Sequence, residues 1–156
     1  MAASLPSVVV TNPYFMKRVV VAEDNLADQE LIRLTFEAVD PEYQVVVCSD
    51  GEELLKYLQT SDPSDFQFLL LDLNMPRVSG KEVLSRLNSE DRFRTLPVIV
   101  FSSSVNGSDI IHCYSQGANA YVRKPVDLND YQTTIASITE FWGRTNVLAR
   151  PSGQQF

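Results

Sequence analysis

The sequence predicts a doubly wound α/β fold, (βα)₅, on a five-stranded parallel sheet of order 2-1-3-4-5. Three observations predict it. Five short apolar runs recur between Lys17 and Trp142, most of them continuous and not alternating, as expected where helices cover both faces of a sheet. A helix-length segment follows each run, and every one opens with a short polar acceptor and carries an acid three residues later. Strand and helix therefore alternate five times in roughly 125 residues, with each crossover right-handed and each helix covering a face; the strand order is the common one for such sheets.

In chain order, residues 1–16 mix apolar residues with Pro6, Asn12 and Pro13, show no sustained period, and read as a tail. The first strand is predicted over Arg18–Ala22, and Asn25 with Asp28 opens the first helix. Tyr43–Cys48 is the second strand, followed by Asp50 with Glu53. Phe66–Leu71 is the third, followed by Ser79 with Glu82. Pro97–Phe101 is the fourth, followed by Asn106 with Asp109, and Ala118–Val122 is the fifth, followed by Asp127 with Asp130. Each cap side chain satisfies an orphan backbone N–H, and an acid in the first turn suits the positive end of the helix dipole. In the last helix Leu128, Tyr131, Ile135, Ile138 and Trp142 fall at spacings of three or four and form one apolar stripe. The domain is expected over residues 17–142, with 143–156 as a C-terminal tail.

At 156 residues, 44% of them hydrophobic, the chain supports one core. Its net charge of −7, with no local basic patch, argues against nucleic acid as a partner. No apolar stretch approaches the ~20 residues of a membrane span, and no signal peptide is evident, so a cytoplasmic protein is expected. Cys48 and Cys113 lie far apart outside any CxxC pattern and read as buried free thiols. His112, the only histidine, offers no nucleophilic pair near the pocket described next and reads as an amphipathic-helix residue.

Ligands of open α/β sheets bind beyond the carboxyl ends of the strands, so the residues that follow each strand are informative. Glu23 and Asp24 follow the first, Asp72 ends the third, Ser102 follows the fourth and Lys124 the fifth. Strands one and three are neighbours about 4.8 Å apart in the expected order, which places three carboxylates in one pocket. Like charges so close call for a hard cation, and oxygen ligands without His or Cys point to Mg²⁺ or Mn²⁺. Lys124 is long enough to reach Asp72, and Ser102 supplies a hydroxyl between them, leaving a space suited to phosphate.

The stretches VVVAEDN, LLLDLNMP with Ser79-Gly80 after it, PVIVFSSS and GANAYVRKP resemble the successive signatures of bacterial two-component response-regulator receiver domains, over about Lys17 to Trp142. The resemblance implies the flavodoxin-like receiver fold. It also implies Asp72 as phosphoacceptor, Glu23 and Asp24 as metal ligands with Asp72 and the backbone carbonyl of Asn74, and Ser102, Lys124 and Tyr121 as phosphoryl-contact and switch residues. It further implies a cis Lys124–Pro125 bond and positions, Asn74 and Ser104, that tune dephosphorylation. Ser102 stands where the family often has threonine, and Glu23-Asp24 where it often has two aspartates; neither change removes a needed group.

Asp24-Asn25, Ala27-Asp28, Asp72-Leu73-Asn74, residues 117–121, residues 124–128 and Phe141-Trp142 look most like the stand-alone regulators paired with bacterial phytochrome kinases. That narrower resemblance implies a sensor histidine kinase, a bacteriophytochrome, as phosphodonor, a changed binding surface or a phosphotransfer protein as the downstream step, and a homodimer. Phe141 and Trp142 most simply staple the last helix to the sheet; exposed portions would serve a dimer contact, with Tyr14, Phe15 and Val147 joining it. The chain is expected to be a phosphoacceptor and not a turnover enzyme. Two rivals fit less well. A haloacid-dehalogenase phosphatase carries its nucleophile after the first strand with a second acid two residues on, where this chain has Asn74. A phosphorylation-independent pseudo-receiver usually lacks the acid pair, the acceptor or the lysine, all of which are present.

Overall fold

The computed structural model describes residues 6–8 and 17–149. The elements are β1 (Ser7–Val8), β2 (Lys17–Ala22), α1 (Leu26–Val39), β3 (Tyr43–Cys48), α2 (Gly51–Gln59), β4 (Phe66–Leu71), α3 (Gly80–Asn88), β5 (Val98–Ser102), α4 (Gly107–Ser115), β6 (Ala120–Arg123) and α5 (Leu128–Glu140), with a π-helical turn at Phe141–Thr145. The sheet order is β1-β3-β2-β4-β5-β6. Its five parallel strands, β2 to β6, follow the expected 2-1-3-4-5 order, and five helices connect or follow them.

All five helices start where the cap residues foretell: Asn25, Asp50, Ser79, Asn106 and Asp127 each accept a backbone N–H of the first turn. Val19, Val20 and Val21 are all fully buried, a result open to consecutive strand residues only when both faces are covered. One face packs Val20, Leu69, Leu71 and Val100 with Leu54, Leu84 and Cys113 of α2, α3 and α4. The other packs Val19, Val21, Leu70 and Phe101 with Ile32 and Phe36 of α1 and Tyr131 and Ile135 of α5. At the commonly observed loss of about 2–5 kcal/mol per large aliphatic residue truncated to alanine, these layers dominate the stability. Cys48 and Cys113 are free and buried.

Some boundaries differ from expectation for local reasons. β5 starts at Val98, because Pro97 has no N–H to give the ladder, although its carbonyl accepts from Leu69 at 2.9 Å. β6 starts two residues late: the chain leaves α4 through Gly117 at φ 90°, the Ala118 N–H returns to the Cys113 carbonyl, and the Asn119 side chain accepts from Val98 at 2.8 Å. Leu128 stands outside the stripe it was assigned to: as the first residue of α5 it is 59% exposed, whereas Tyr131, Ile135 and Ile138 are buried. Within the N-terminal tail, Ser7 and Val8 form a strand antiparallel to β3, opposite Val47 and Val46.

Gly80 positions the site. A Cβ at Gly80 would stand 2.3 Å from the Asp72 carbonyl oxygen, so only glycine lets the start of α3 close on the end of β4. At the far end of the molecule Gly143 has the same role against the Tyr43 hydroxyl, which a Cβ would approach to 1.7 Å.

Candidate functional site

The backbone ladders run past the strand ends and align the polar residues. The Glu23 N–H donates to the Cys48 carbonyl (3.0 Å), the Asp72 N–H to the Ala22 carbonyl (3.0 Å) and the Lys124 N–H to the Ser102 carbonyl (2.9 Å). The result is a group of carboxylates from Glu23, Asp24 and Asp72, with one oxygen from each lying within 4.8 Å of the others. Glu23 and Asp72 are buried and Asp24 is exposed.

Lys124 reaches into this group from the opposite side. Its Nζ donates to Glu23 Oε2 at 2.7 Å and lies 3.3 Å from Asp72 Oδ2 and 3.5 Å from Asp28 Oδ2. Burial pushes the Glu23 carboxyl up to about 8 against the lowering effect of the Lys124 bond, and the Asp72 charge adds to the rise. Burial would lower Lys124, but the bond from its ammonium to Glu23 and the charges of Glu23, Asp72 and Asp28 outweigh it and leave the amine above its ordinary value. Three carboxylates, Glu23, Asp28 and Asp72, thus share one ammonium, with Asp24 beside them, an excess of acidic groups that fits a hard divalent cation. The donor set is all oxygen, with no His or Cys in it.

Asn74 is exposed, and its N–H donates to Asp72 Oδ1 at 3.2 Å, holding the carboxylate from the loop side. Ser102 is fully buried, and its Oγ accepts the N–H of Ser104 at 3.2 Å. Tyr121 is partly buried against the core, and its hydroxyl donates to the Ser104 carbonyl at 2.8 Å. The Tyr121 ring thus lies against the core with its hydroxyl tied to the β5–α4 loop. Trp142 packs on the core layer of α1 and α5, whereas Phe141, edge-to-face with it at 5.0 Å, is half exposed. Val147 is exposed. Tyr14 and Phe15 lie outside the described residues.

The Lys124–Pro125 bond is trans and not cis as the resemblance implies: no peptide bond among the described residues is cis. An X–Pro bond prefers trans by about 0.5–1 kcal/mol. Nothing at this position demands the alternative, since the trans chain already carries the Lys124 N–H to Ser102 and its ammonium to Glu23 and Asp72.

Three contributors were not singled out from sequence. Asp28, taken as a capping acid, is indeed capped at its N–H by Asn25, but its carboxylate also faces Lys124. Asp109, also taken as a capping acid, bonds Lys81 of α3 and the Ser104 hydroxyl. Tyr131 lies buried beside the acids with its hydroxyl unpartnered, and burial pushes that hydroxyl up. All three require knowing which helix packs on which strand end. The only local signal is the basic residue directly after Gly80.

The family described as response regulator receiver domain matches residues 19–136. A probable methanogenesis regulatory protein, FilR2 of Methanothrix harundinacea, is 33% identical over 127 residues, covering 80% of this chain and 82% of that protein. Among solved structures, the phosphorylated cyanobacterial phytochrome response regulator RcpA matches with a TM-score of 0.81 and 34% identity, covering 86% of this chain and 99% of that one. The Mn²⁺-bound form of response regulator Rcp1, a protein of Synechocystis, matches with a TM-score of 0.78 and 28% identity over the same shares.

Proposed function

The chain belongs to the response regulator receiver domain family, and from that premise we propose that it is a two-component response regulator that accepts a phosphoryl group from a histidine kinase on Asp72. The observation that carries this reading is the cluster of carboxylates from Glu23, Asp24 and Asp72, with the Lys124 ammonium bridging Glu23 and Asp72. The likeness to the cyanobacterial phytochrome response regulator RcpA supports a phytochrome-type sensor kinase as donor.

An Asp72 carboxylate oxygen attacks the phosphorus of the donor phosphohistidine; the new O–P bond forms as the P–N bond breaks, and the imidazole leaves with its electron pair. Glu23, Asp24 and Asp72, with the Asn74 carbonyl, would hold Mg²⁺, Mn²⁺ being an alternative given the Mn²⁺-bound relative. When bound, that ion supplies positive charge to the phosphoryl oxygens. Lys124 exchanges part of its bonding to Glu23 for the new phosphoryl oxygens, and the buried Ser102 hydroxyl donates from the neighbouring strand. Asn74 and Ser104 flank the path of the water that later hydrolyses the acyl phosphate and set its lifetime. Output is a changed protein-binding surface around α4, β6 and α5, or onward transfer to a phosphotransfer protein, with Phe141 and Trp142 at a homodimer contact. The protein is then a phosphoacceptor that catalyses its own modification, not an enzyme acting on an external substrate.

The test is incubation with acetyl phosphate and Mg²⁺, read by intact mass, with Asp72→Asn as control. Wild type is expected to gain one phosphoryl group and the variant none. Equal labelling would refute the site, and no labelling of either would favour a phosphorylation-independent interaction module.

A further inference from the structure

Ser104 is a node in which every polar group is engaged. Its N–H donates to Ser102 Oγ (3.2 Å), its carbonyl accepts from the Tyr121 hydroxyl (2.8 Å), and its own hydroxyl donates to Asp109 Oδ2 (2.7 Å) and accepts the Asn106 N–H (3.3 Å). The other carboxylate oxygen of Asp109 is bonded by the Lys81 ammonium. Lys81 directly follows Gly80, whose N–H donates to the Leu73 carbonyl at 3.0 Å and whose Cα abuts the Asp72 backbone. The contacts form a continuous path between two strand ends of the sheet. It starts beside Asp72 at the end of β4, runs through the start of α3 to Lys81, crosses to Asp109 on α4, and ends through Ser104 at Ser102 of β5.

We propose that Lys81 and Asp109 are positioning residues for the phosphoryl chemistry. They form a strap between α3 and α4 that holds the β5–α4 loop, and with it the Ser102 hydroxyl and the Tyr121 ring, in the arrangement that receives a phosphoryl group. This rests on the assignment of Asp72 as phosphoacceptor.

Asp109 is held ionised by the bonds from Lys81 and then Ser104, so its bond to the Ser104 hydroxyl is charge-assisted and stronger than a neutral one. Without that anchor Ser104 belongs to an exposed loop, residues 103–106, and the Tyr121 hydroxyl loses a fixed acceptor. A loop arrangement that favours the phosphorylated state is, by reciprocity, one whose prior population favours phosphorylation. Tyr121 packs partly buried against the core with its hydroxyl on the Ser104 carbonyl, the contact such a strap would hold.

The experiment compares uptake of label from acetyl phosphate with Mg²⁺ in wild type, Lys81→Met, Asp109→Asn and the double variant, after far-ultraviolet dichroism and melting show all four folded. Each single change is expected to slow uptake by about fivefold, the low end of ordinary coupling between sites. The double variant is expected to match the singles, because both residues serve one strap. The strap is also partly exposed, with Lys81 at 44%. Added potassium chloride should therefore shrink the ratio of wild-type to variant rates toward one. Folded variants that label at the wild-type rate, deficits that multiply in the double variant, or a ratio indifferent to salt would each overturn the strap. Should wild type take no more label than Asp72→Asn, the phosphoacceptor assignment fails and the strap falls with it; wild-type labelling with unaffected variants removes the strap alone.

Discussion

Lys124 stands closer to Glu23 than to Asp72, at 2.7 Å against 3.3 Å, so its ammonium is held chiefly by the neighbouring acid and not by the proposed phosphoacceptor. Its loss would leave the buried Glu23 and Asp72 with no cation beside them. Lys124→Met is expected to slow phosphoryl uptake by about a hundredfold, the scale on which removing one preorganised charge or donor acts; intact-mass time courses with acetyl phosphate measure it, and a rate within threefold of wild type would remove Lys124 from the chemistry. At this scale much was legible. Residue type and position after a strand sufficed to gather Glu23, Asp24, Asp72, Ser102 and Lys124 at one sheet edge. The division of the ammonium among three acids, and the trans bond after it, depend on side-chain and backbone conformations that neighbouring residue types do not encode.

The helices were legible from their first turns, because a capping side chain acts on N–H groups within three residues of itself. What the acids do next was not legible. Glu53 reaches back to the Ser49 N–H at 2.6 Å, Glu82 pairs forward with Arg86, and Asp109 leaves its helix altogether for Lys81 and Ser104. The end of α5 is fastened similarly by distant partners. Asp40, at the C-terminus of α1, accepts from the Glu42 N–H (3.0 Å), Lys17 (3.2 Å) and Arg144 (3.1 Å), tying the π-helical turn to α1 and β2. Burial alone would raise its pKa; these bonds outweigh burial and hold it below 3.8. A carboxyl depressed on folding stabilises the protein above its unfolded value, and that contribution fades as pH falls through the folded value. Asp40→Asn is therefore expected to cost about 2 kcal/mol at neutral pH and progressively less below pH 3.8. Chemical denaturation across pH checks this, and a penalty that persists unchanged at low pH would rule it out.

For the molecule as a whole, the acid group joins β2 to β4 across the centre of the sheet, so a cation there binds the folded chain and not the unfolded one. Mg²⁺ at a hundred times its Kd is expected to add about 2.7 kcal/mol and raise Tm by roughly 5–10 °C. Addition of EDTA should return Tm to its starting value, and Asp72→Asn should respond less; a wild-type Tm indifferent to Mg²⁺ would contradict the cation site. Fold class and strand order were legible because burial of consecutive apolar residues leaves a parallel sheet few alternatives. The sixth strand was not, since Ser7–Val8 sits among Pro6, Asn12 and Pro13 and its pairing depends on β3, some forty residues on.

That short strand has a counterpart on the opposite border of the sheet, where the Tyr114 hydroxyl accepts the N–H of Tyr121 at 3.2 Å and takes up a donor that an edge strand would otherwise show to solvent. Both margins are thereby blunted against strand addition from another molecule, the route by which open sheets grow into fibrils.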